Sequence, residues 1–258
     1  MSVRPKRELG QHFLADPNIL GVIDRLAELG PADVVLEVGP GLGVLTRHLA
    51  KRVAAVHALE IDASLEPKLR EAVADFHNVD LHFGDALRLD LASLEPAPTK
   101  LVANLPYNVA TPLVVETLDG LPSIELWCVM VQREVGDRFF ARPRTKAYGA
   151  VSVLIQLAAR RTGFHPVSPN VFRPRPNVSS ALVAFRRREL PANYARIKQV
   201  VGAAFAHRRK QLANALELAG IASRADAAAA LERIGRDPAA RAEALAPLDF
   251  VALADALS

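Results

Sequence analysis

The sequence predicts an α/β fold: a mainly parallel, doubly wound sheet over residues 1–189, followed by a small α-helical domain at 190–258. Three observations predict it. Short apolar strands alternate with helical patterns at the spacing of repeated βαβ units. The first four strands end on or just before Gly39, Glu60, Gly84-Asp85 and Asn104, so four motifs share the carboxyl edge of one sheet. Beyond Pro191 the chain turns alanine- and leucine-rich, with little strand propensity.

Asp16-Pro17-Asn18 reads as a helix start, with Ile19, Val22, Ile23, Leu26 and Leu29 at helical spacing and Gly30-Pro31 as the stop. Val34–Val38 is a short apolar strand, and Leu42–Arg52 the helix after a glycine turn. Ala54–Glu60 and Val79–Phe83 are strands flanking a helix at Ser64–Ala74. Lys100–Ala103 is the fourth strand, a helix spans about Thr111–Leu118, and Glu125–Gln132 is the fifth strand. Helical patterns follow at Arg133–Ala141 and Ala147–Ala159. The segment Arg161–Arg188 breaks the rhythm with four prolines and a β-rich run, Ser179–Arg187, as expected of antiparallel strands added at the sheet's end. Four helices are expected beyond Glu189-Leu190-Pro191: Ala195–Phe205, Arg208–Leu218, Ala225–Ile234 and Leu248–Leu257. About 70 residues are few for a self-sufficient core, so this domain is expected to pack on the larger one.

Half of the 258 residues are hydrophobic, enough for a substantial core. The longest apolar stretches, such as Val151–Ala159, are too short to span a bilayer, and no apolar h-region follows the basic N-terminus. A cytoplasmic protein is expected. Cys128 is the only cysteine, which excludes an internal disulfide and a cysteine-based metal cluster. No metal site is expected. Charge is uneven: Arg133–Arg188 holds twelve Lys and Arg against two acids, +10, within a chain of net +4, leaving −6 elsewhere. Such a band suits a polyanion, though a solvated arginine-rich face would look the same.

Glu37-Val38-Gly39-Pro40-Gly41-Leu42-Gly43 builds a glycine turn where a nucleotide-like cofactor can approach the backbone. Gly39 and Gly41 are the candidate contacts, although glycines between strand and helix also serve packing alone. Glu60 stands seventeen residues past Gly43, where a carboxylate can accept from two ribose hydroxyls and would repel the extra phosphate of NADP. A strand-end surface acid is the plain alternative. Asp85 can accept from an adenine amine or cap the next helix.

Asn104-Leu105-Pro106-Tyr107 points the site towards methyl transfer to an exocyclic amine. An adenine amine is a poor nucleophile because its lone pair is delocalised into the ring. Acceptors at the Asn104 side chain and the Leu105 carbonyl can hold both N–H bonds and favour a pyramidal nitrogen. Tyr107 can stack on one face of the base, or be a core tyrosine in an Asn-x-Pro turn. Phe172, in the stiff Val171–Pro176 loop, is the candidate for the opposite face, or a core anchor. Arg173 and Arg175 can neutralise adjacent phosphates. Arg208-Arg209-Lys210 places three cations at an expected helix start, against the macrodipole, which nearby phosphates would relieve.

These stretches, with Gly10–Leu14, Gln132–Val135, Ala147-Tyr148-Gly149, Phe172–Val183 and Ala204–Lys210, resemble the small-subunit ribosomal RNA adenine N6,N6-dimethyltransferase family over nearly the whole chain. The resemblance implies a Rossmann-like class I methyltransferase sheet with a helical domain that docks rRNA. It also implies S-adenosylmethionine contacts at His12, Leu14, Gly39, Glu60, Asp85 and Asn104. The implied substrate is a pair of adjacent adenosines in a hairpin loop near the 3′ end of small-subunit (16S) rRNA, dimethylated during late 30S assembly. The enzyme is expected to be a monomer. Asn177 and Ser179 stand where many members carry Lys and Asp, and His12 where Asn is also common. The related large-subunit methyltransferase of antibiotic resistance and a non-catalytic RNA-binding assembly factor are the alternatives, with a nicotinamide dehydrogenase a distant third.

Overall fold

The computed structural model describes residues 6, 11–107, 109–207 and 209–257. Two compact units share the chain. One runs to Gly136 and resumes at Arg161–Arg187; the other takes Asp137–Arg160 and everything from Arg188 onward.

The first unit is built on β2 (Val34–Val38), β3 (Ala55–Glu60), β4 (Val79–Phe83), β5 (Lys100–Asn104), β6 (Leu126–Gln132), β7 (Ala159–Val167) and β9 (Ser180–Arg187). Their order in the seven-stranded sheet is β4-β3-β2-β5-β6-β9-β7. β4 through β6 run parallel, while β9 joins β6 antiparallel with Gln132 opposite Ser180. The strand order reverses between β2 and β5, and such a switch point opens a crevice beyond the carboxyl ends. β6 reads as a nearly continuous apolar run, and β2 as one broken only by Glu37, because helices cover both faces of a parallel sheet. Those helices include α1 (Asn18–Ala27), α2 (Val44–Ala50), α3 (Glu66–Val73) and α4 (Ala110–Gly120), and α5 (Arg133–Phe139) follows β6 directly. The core cluster runs from Ile19, Ile23 and Leu49 through Val35, Val56 and Val102 to Met130 and Leu182.

A second, two-stranded sheet pairs β1 (Phe13–Leu14) with β8 (Phe172–Arg173), Phe13 opposite Arg173 and Leu14 opposite Phe172. It fastens the N-terminal arm to the proline loop, and Ala15 N donates to Val171 O at 2.8 Å beside it.

Two arginines of the cationic band serve the fold. Arg187 Nη1 and Nη2 donate to the carbonyls of Leu118 and Leu121 at 2.6 and 2.8 Å, capping the end of α4. Its guanidinium lies 4.9 Å from the Trp127 ring, itself stacked on Phe185. Arg186 pairs with Glu28. The band available to a polyanion is therefore narrower than the charge count implies.

The second unit gathers α6 (Ala150–Ala158), α7 (Tyr194–Ala206), α8 (Leu212–Leu218), α9 (Arg224–Arg233) and α10 (Pro247–Ala256). Asp137–Arg160 belongs here because buried hydroxyls tie it in: Tyr148 Oη donates to Leu245 O at 2.8 Å and Tyr194 Oη to Leu154 O at 3.2 Å. Phe205 bridges Tyr148 and Phe250 at ring separations of 6.0 and 5.8 Å. α8 begins at Leu212 after Gln211, four residues later than expected. Arg209 and Lys210 lie exposed in the turn before it, while Arg208 lies outside the described residues. The macrodipole conflict read from the sequence therefore does not arise for Arg209 and Lys210. Among the described residues no helix is long and apolar enough to cross a membrane.

Candidate active site

The carboxyl ends of β2, β3 and β5 open into one crevice with about 700 Å³ of open space, its mouth included. An adjoining slot lies between Val38, Leu59, Ile61, Ala86 and Pro106, with Asp85 at its rim, and Gly39 and Glu60 line both compartments.

The glycine turn needs its glycines. Gly39, Gly41 and Gly43 have φ of 79°, 58° and 76°, a region that favours glycine. A Cβ on Gly39 would stand 3.2 Å from Pro106, and one on Gly41 only 2.8 Å from the Phe13 ring. The Gly41 N–H donates to Glu60 Oε2 at 3.0 Å, which fastens the turn to β3.

Glu60 is buried rather than a strand-end surface acid. Its Oε1 accepts from Asp62 N at 2.9 Å, so each carboxylate oxygen holds one backbone N–H and keeps lone pairs for a ligand. Burial pushes its pKa up, and the N–H groups of Asp62 and Gly41 oppose that rise. Asp62 goes the other way. Burial alone would raise it, but Lys6, Ser64 and Gln11 together hold it down at about 2. Lys6 Nζ reaches Asp62 Oδ1 at 2.6 Å and Gln11 Nε2 reaches Oδ2 at 2.8 Å, so the N-terminal arm is pinned to the end of β3. Asp85 caps a turn rather than a helix. It accepts from Leu87 N at 3.0 Å as a turn cap and still borders the slot.

Asn104 closes β5 with its amide fixed: Nδ2 donates to His12 O at 3.1 Å. His12 is held in turn, since its Nδ1 lies 2.8 Å from Pro174 O and must carry the proton there. The Tyr107 hydroxyl pairs with Ser180 Oγ at 3.0 Å, and its ring lies 5.6 Å from the His12 ring. His12, Leu14, Gly39, Gly41, Glu60 and Asn104–Tyr107 thus line one crevice.

Phe172 departs from expectation. Its side chain is wholly buried in the core cluster with Leu14 and Val171, so it offers no face to a base and serves as an anchor. Pairing of β8 with β1 is the reason, a tertiary contact that turns the ring inward. Arg173 and Arg175 stay exposed on the loop, with Arg173 Nη1 donating to Phe172 O and Asn170 O at 3.0 and 3.2 Å.

One crevice-lining residue escapes the sequence reading. Glu37 lies inside β2, lines the crevice and is almost wholly buried, with the Thr46 hydroxyl beside it but no well-formed hydrogen bond to its Oε2. Burial raises its pKa from 4.5 to about 8; the Thr46 hydroxyl beside it opposes the rise, and the nearby Glu60 charge adds to it. The available signal is an acid in an otherwise apolar strand. Among the described residues no cluster of three or more His, Cys, Asp and Glu side chains is placed to hold a metal ion.

Residues 3–257 match the family model described as Ribosomal RNA adenine dimethylase. The chain is 51% identical over 251 residues to the ribosomal RNA small subunit methyltransferase A of Rubrobacter xylanophilus, covering 97% of this chain and 94% of that one. It is 46% identical over 265 residues to the protein of that name from Thermobifida fusca, covering 99% and 91%. Among solved structures, a dimethyladenosine transferase from Plasmodium falciparum shares the fold, with a TM-score of 0.79 at 23% identity over 94% and 96% of the two chains. The 23S rRNA methyltransferase ErmE matches with a TM-score of 0.68 at 30% identity, covering 95% and 99%.

Proposed function

The chain belongs to the ribosomal RNA adenine dimethylase family, and on that footing we propose that it dimethylates N6 of two adjacent adenosines in the 3′-terminal hairpin loop of small-subunit rRNA. The methyl source is S-adenosylmethionine, and the substrate an immature 30S particle met by a cytoplasmic monomer. The single observation that carries this reading is the Asn104 amide, whose nitrogen is committed to His12 O so that Oδ1 is left for the crevice.

The residues present suit the cofactor. Left-handed glycines leave room for close approach, Glu60 keeps acceptor capacity for ribose hydroxyls, and Asp85 borders a largely apolar slot suited to a heterocycle. Glu37, a buried carboxyl lining the crevice with no well-formed hydrogen bond to its Oε2, supplies an acidic group for a cationic ligand. When bound, S-adenosylmethionine provides an electrophilic methyl group on a sulfonium.

In the first transfer Asn104 Oδ1 and the Leu105 carbonyl accept the two N6 hydrogens and turn the nitrogen lone pair out of conjugation; in the second, the one remaining hydrogen is held by one of these oxygens. Positive charge grows on N6 as the new bond forms, so these hydrogen bonds strengthen towards the transition state. The resulting ammonium is acidic and gives its proton to water; no side chain is asked to act as a base. Tyr107 covers one face of the base. Arg173 and Arg175 on the proline loop, and Arg208, Arg209 and Lys210 in the helical region, hold phosphates.

Methyl incorporation mapped on small-subunit particles lacking the modification tests this function. Two dimethylated, adjacent adenosines near the 3′ end are expected. Incorporation into large-subunit rRNA instead would favour the activity named for the ErmE structure, and cofactor binding without turnover on either would favour an assembly factor.

A further inference from the structure

Ser180 opens β9 and is wholly buried, and its hydroxyl is an anomaly in that place. Its neighbours along the strand, Ala181 to Phe185, are all apolar. A buried hydroxyl without a partner is costly, on the order of 1–3 kcal/mol, so a serine here needs a reason. Among the described residues its hydroxyl finds one partner, Tyr107 Oη at 3.0 Å. The pair links two distant parts of the sequence, since Tyr107 follows β5 while Ser180 faces Gln132 at the end of β6.

The consequence falls on the tyrosine ring. Tyr107 is half-buried in the turn after Asn104, with the His12 ring 5.6 Å away, centroid to centroid, at a tilt of 34°. His12 limits the ring on one side, while the hydroxyl pair fixes its far tip. An aromatic ring held at two points keeps one face at a constant angle to the crevice that it lines. Burial raises the phenol pKa, which Ser180 partly offsets, so the ring tip stays neutral and its hydrogen bond persists at ordinary pH.

We propose that Ser180 is a positioning residue for Tyr107: its buried hydroxyl fixes the ring so that a flat base meets it already aligned for methyl transfer. This rests on the proposed stacking of Tyr107 on the target adenine. It adds the start of β9 to the machinery. Because Ser180 ends the loop that carries Arg175, Asn177 and Ser179, it also ties the angle of the stacking face to the seating of that loop.

A double-mutant cycle tests it on the full-length protein: Ser180→Ala, Tyr107→Phe and the pair together. The measurements are kcat and KM on unmodified small-subunit particles, and the fluorescence of 2-aminopurine at the target position. Each single variant is expected to lower kcat about five- to tenfold, the worth of one hydrogen bond, with cofactor KM unchanged and fluorescence quenching reduced. The double variant is expected to be no slower than either single. Effects that multiply in the double variant, or wild-type kcat in Ser180→Ala, would overturn the proposal. If Ser180→Ala does not fold, Tyr107→Phe removes the same hydrogen bond from the other side, and wild-type quenching and kcat there would overturn it equally. Tyr107→Ala separates the two ideas, since undiminished quenching in that variant would sink the stacking reading itself.

Discussion

Asn104 Nδ2 donates to the carbonyl oxygen of His12 at 3.1 Å, joining residues 92 positions apart. A carbonyl can only accept, so this bond decides which end of the Asn104 amide faces the crevice. His12 is itself fastened to Pro174 O on the proline loop, so the orientation of the amide depends on the N-terminal arm and that loop together.

Asn104→Asp tests the orientation separately from the need for an acceptor. Aspartate keeps an oxygen for the base but cannot donate to His12 O, and its charge repels that carbonyl. The expected result is a kcat lowered on the order of a hundredfold, with the fold intact by melting. Near wild-type kcat would mean that the His12 contact is dispensable.

Gly41→Ala places a Cβ 2.8 Å from the Phe13 ring at a φ of 58°. The cost is expected to be about 1–3 kcal/mol of stability, from backbone strain and displacement of the N-terminal arm. Chemical denaturation measures it, and cofactor affinity measured by calorimetry is expected to fall in parallel.

Glu60→Ala removes the acceptor for the Gly41 N–H as well as the proposed ribose contact. Cofactor affinity is expected to weaken about tenfold to a hundredfold, read by calorimetry without RNA present. Wild-type affinity would count against the ribose assignment.

Glu37 gives a pH signature. Its folded pKa stands raised, about 8 against an ordinary 4.5, so between those values the folded state holds a proton that the unfolded chain has lost. Folding then binds a proton, and this group's contribution to stability declines as pH rises through that window. Glu37→Gln keeps the shape without the titration. Melting temperatures of the two proteins across the window are expected to diverge in favour of the variant as pH rises; parallel curves would place the Glu37 pKa in its ordinary range.

The cationic residues divide by role. Replacing Arg208, Arg209 and Lys210 with alanine is expected to flatten the salt dependence of rRNA binding, by up to about 0.7–0.9 in log–log slope for each phosphate no longer neutralised. Arg187→Met is expected to leave that slope unchanged and to destabilise the fold by about 2 kcal/mol, because three carbonyls lose their donor.

Much of this was legible in the sequence. β2 and β4 have the ends expected of them because a mostly apolar run and an alternating one, each stopped by glycine, are local signals. The glycine turn, Glu60, Asp85 and Asn104 converge because parallel topology puts strand ends on one edge. The illegible features are tertiary. β1 and β8 are two residues each, too short for any periodicity, and only their pairing defines them. That pairing buries Phe172, which as a loop aromatic beside two arginines reads equally well as a stacking face. Glu37 reads as part of a turn motif, and only its burial in the fold sets it apart. The start of α8 falls later than its sequence suggests because Arg and Lys are good helix formers, and nothing local says that the turn continues to Gln211.

The most direct test is single-turnover methyl transfer by Asn104→Ala on unmodified small-subunit particles, with cofactor and particle affinities measured alongside. The expected outcome is a chemical step slowed at least about a hundredfold while both affinities stay within about twofold. A wild-type rate of transfer, or a loss confined to either affinity, would contradict the role assigned to the Asn104 oxygen.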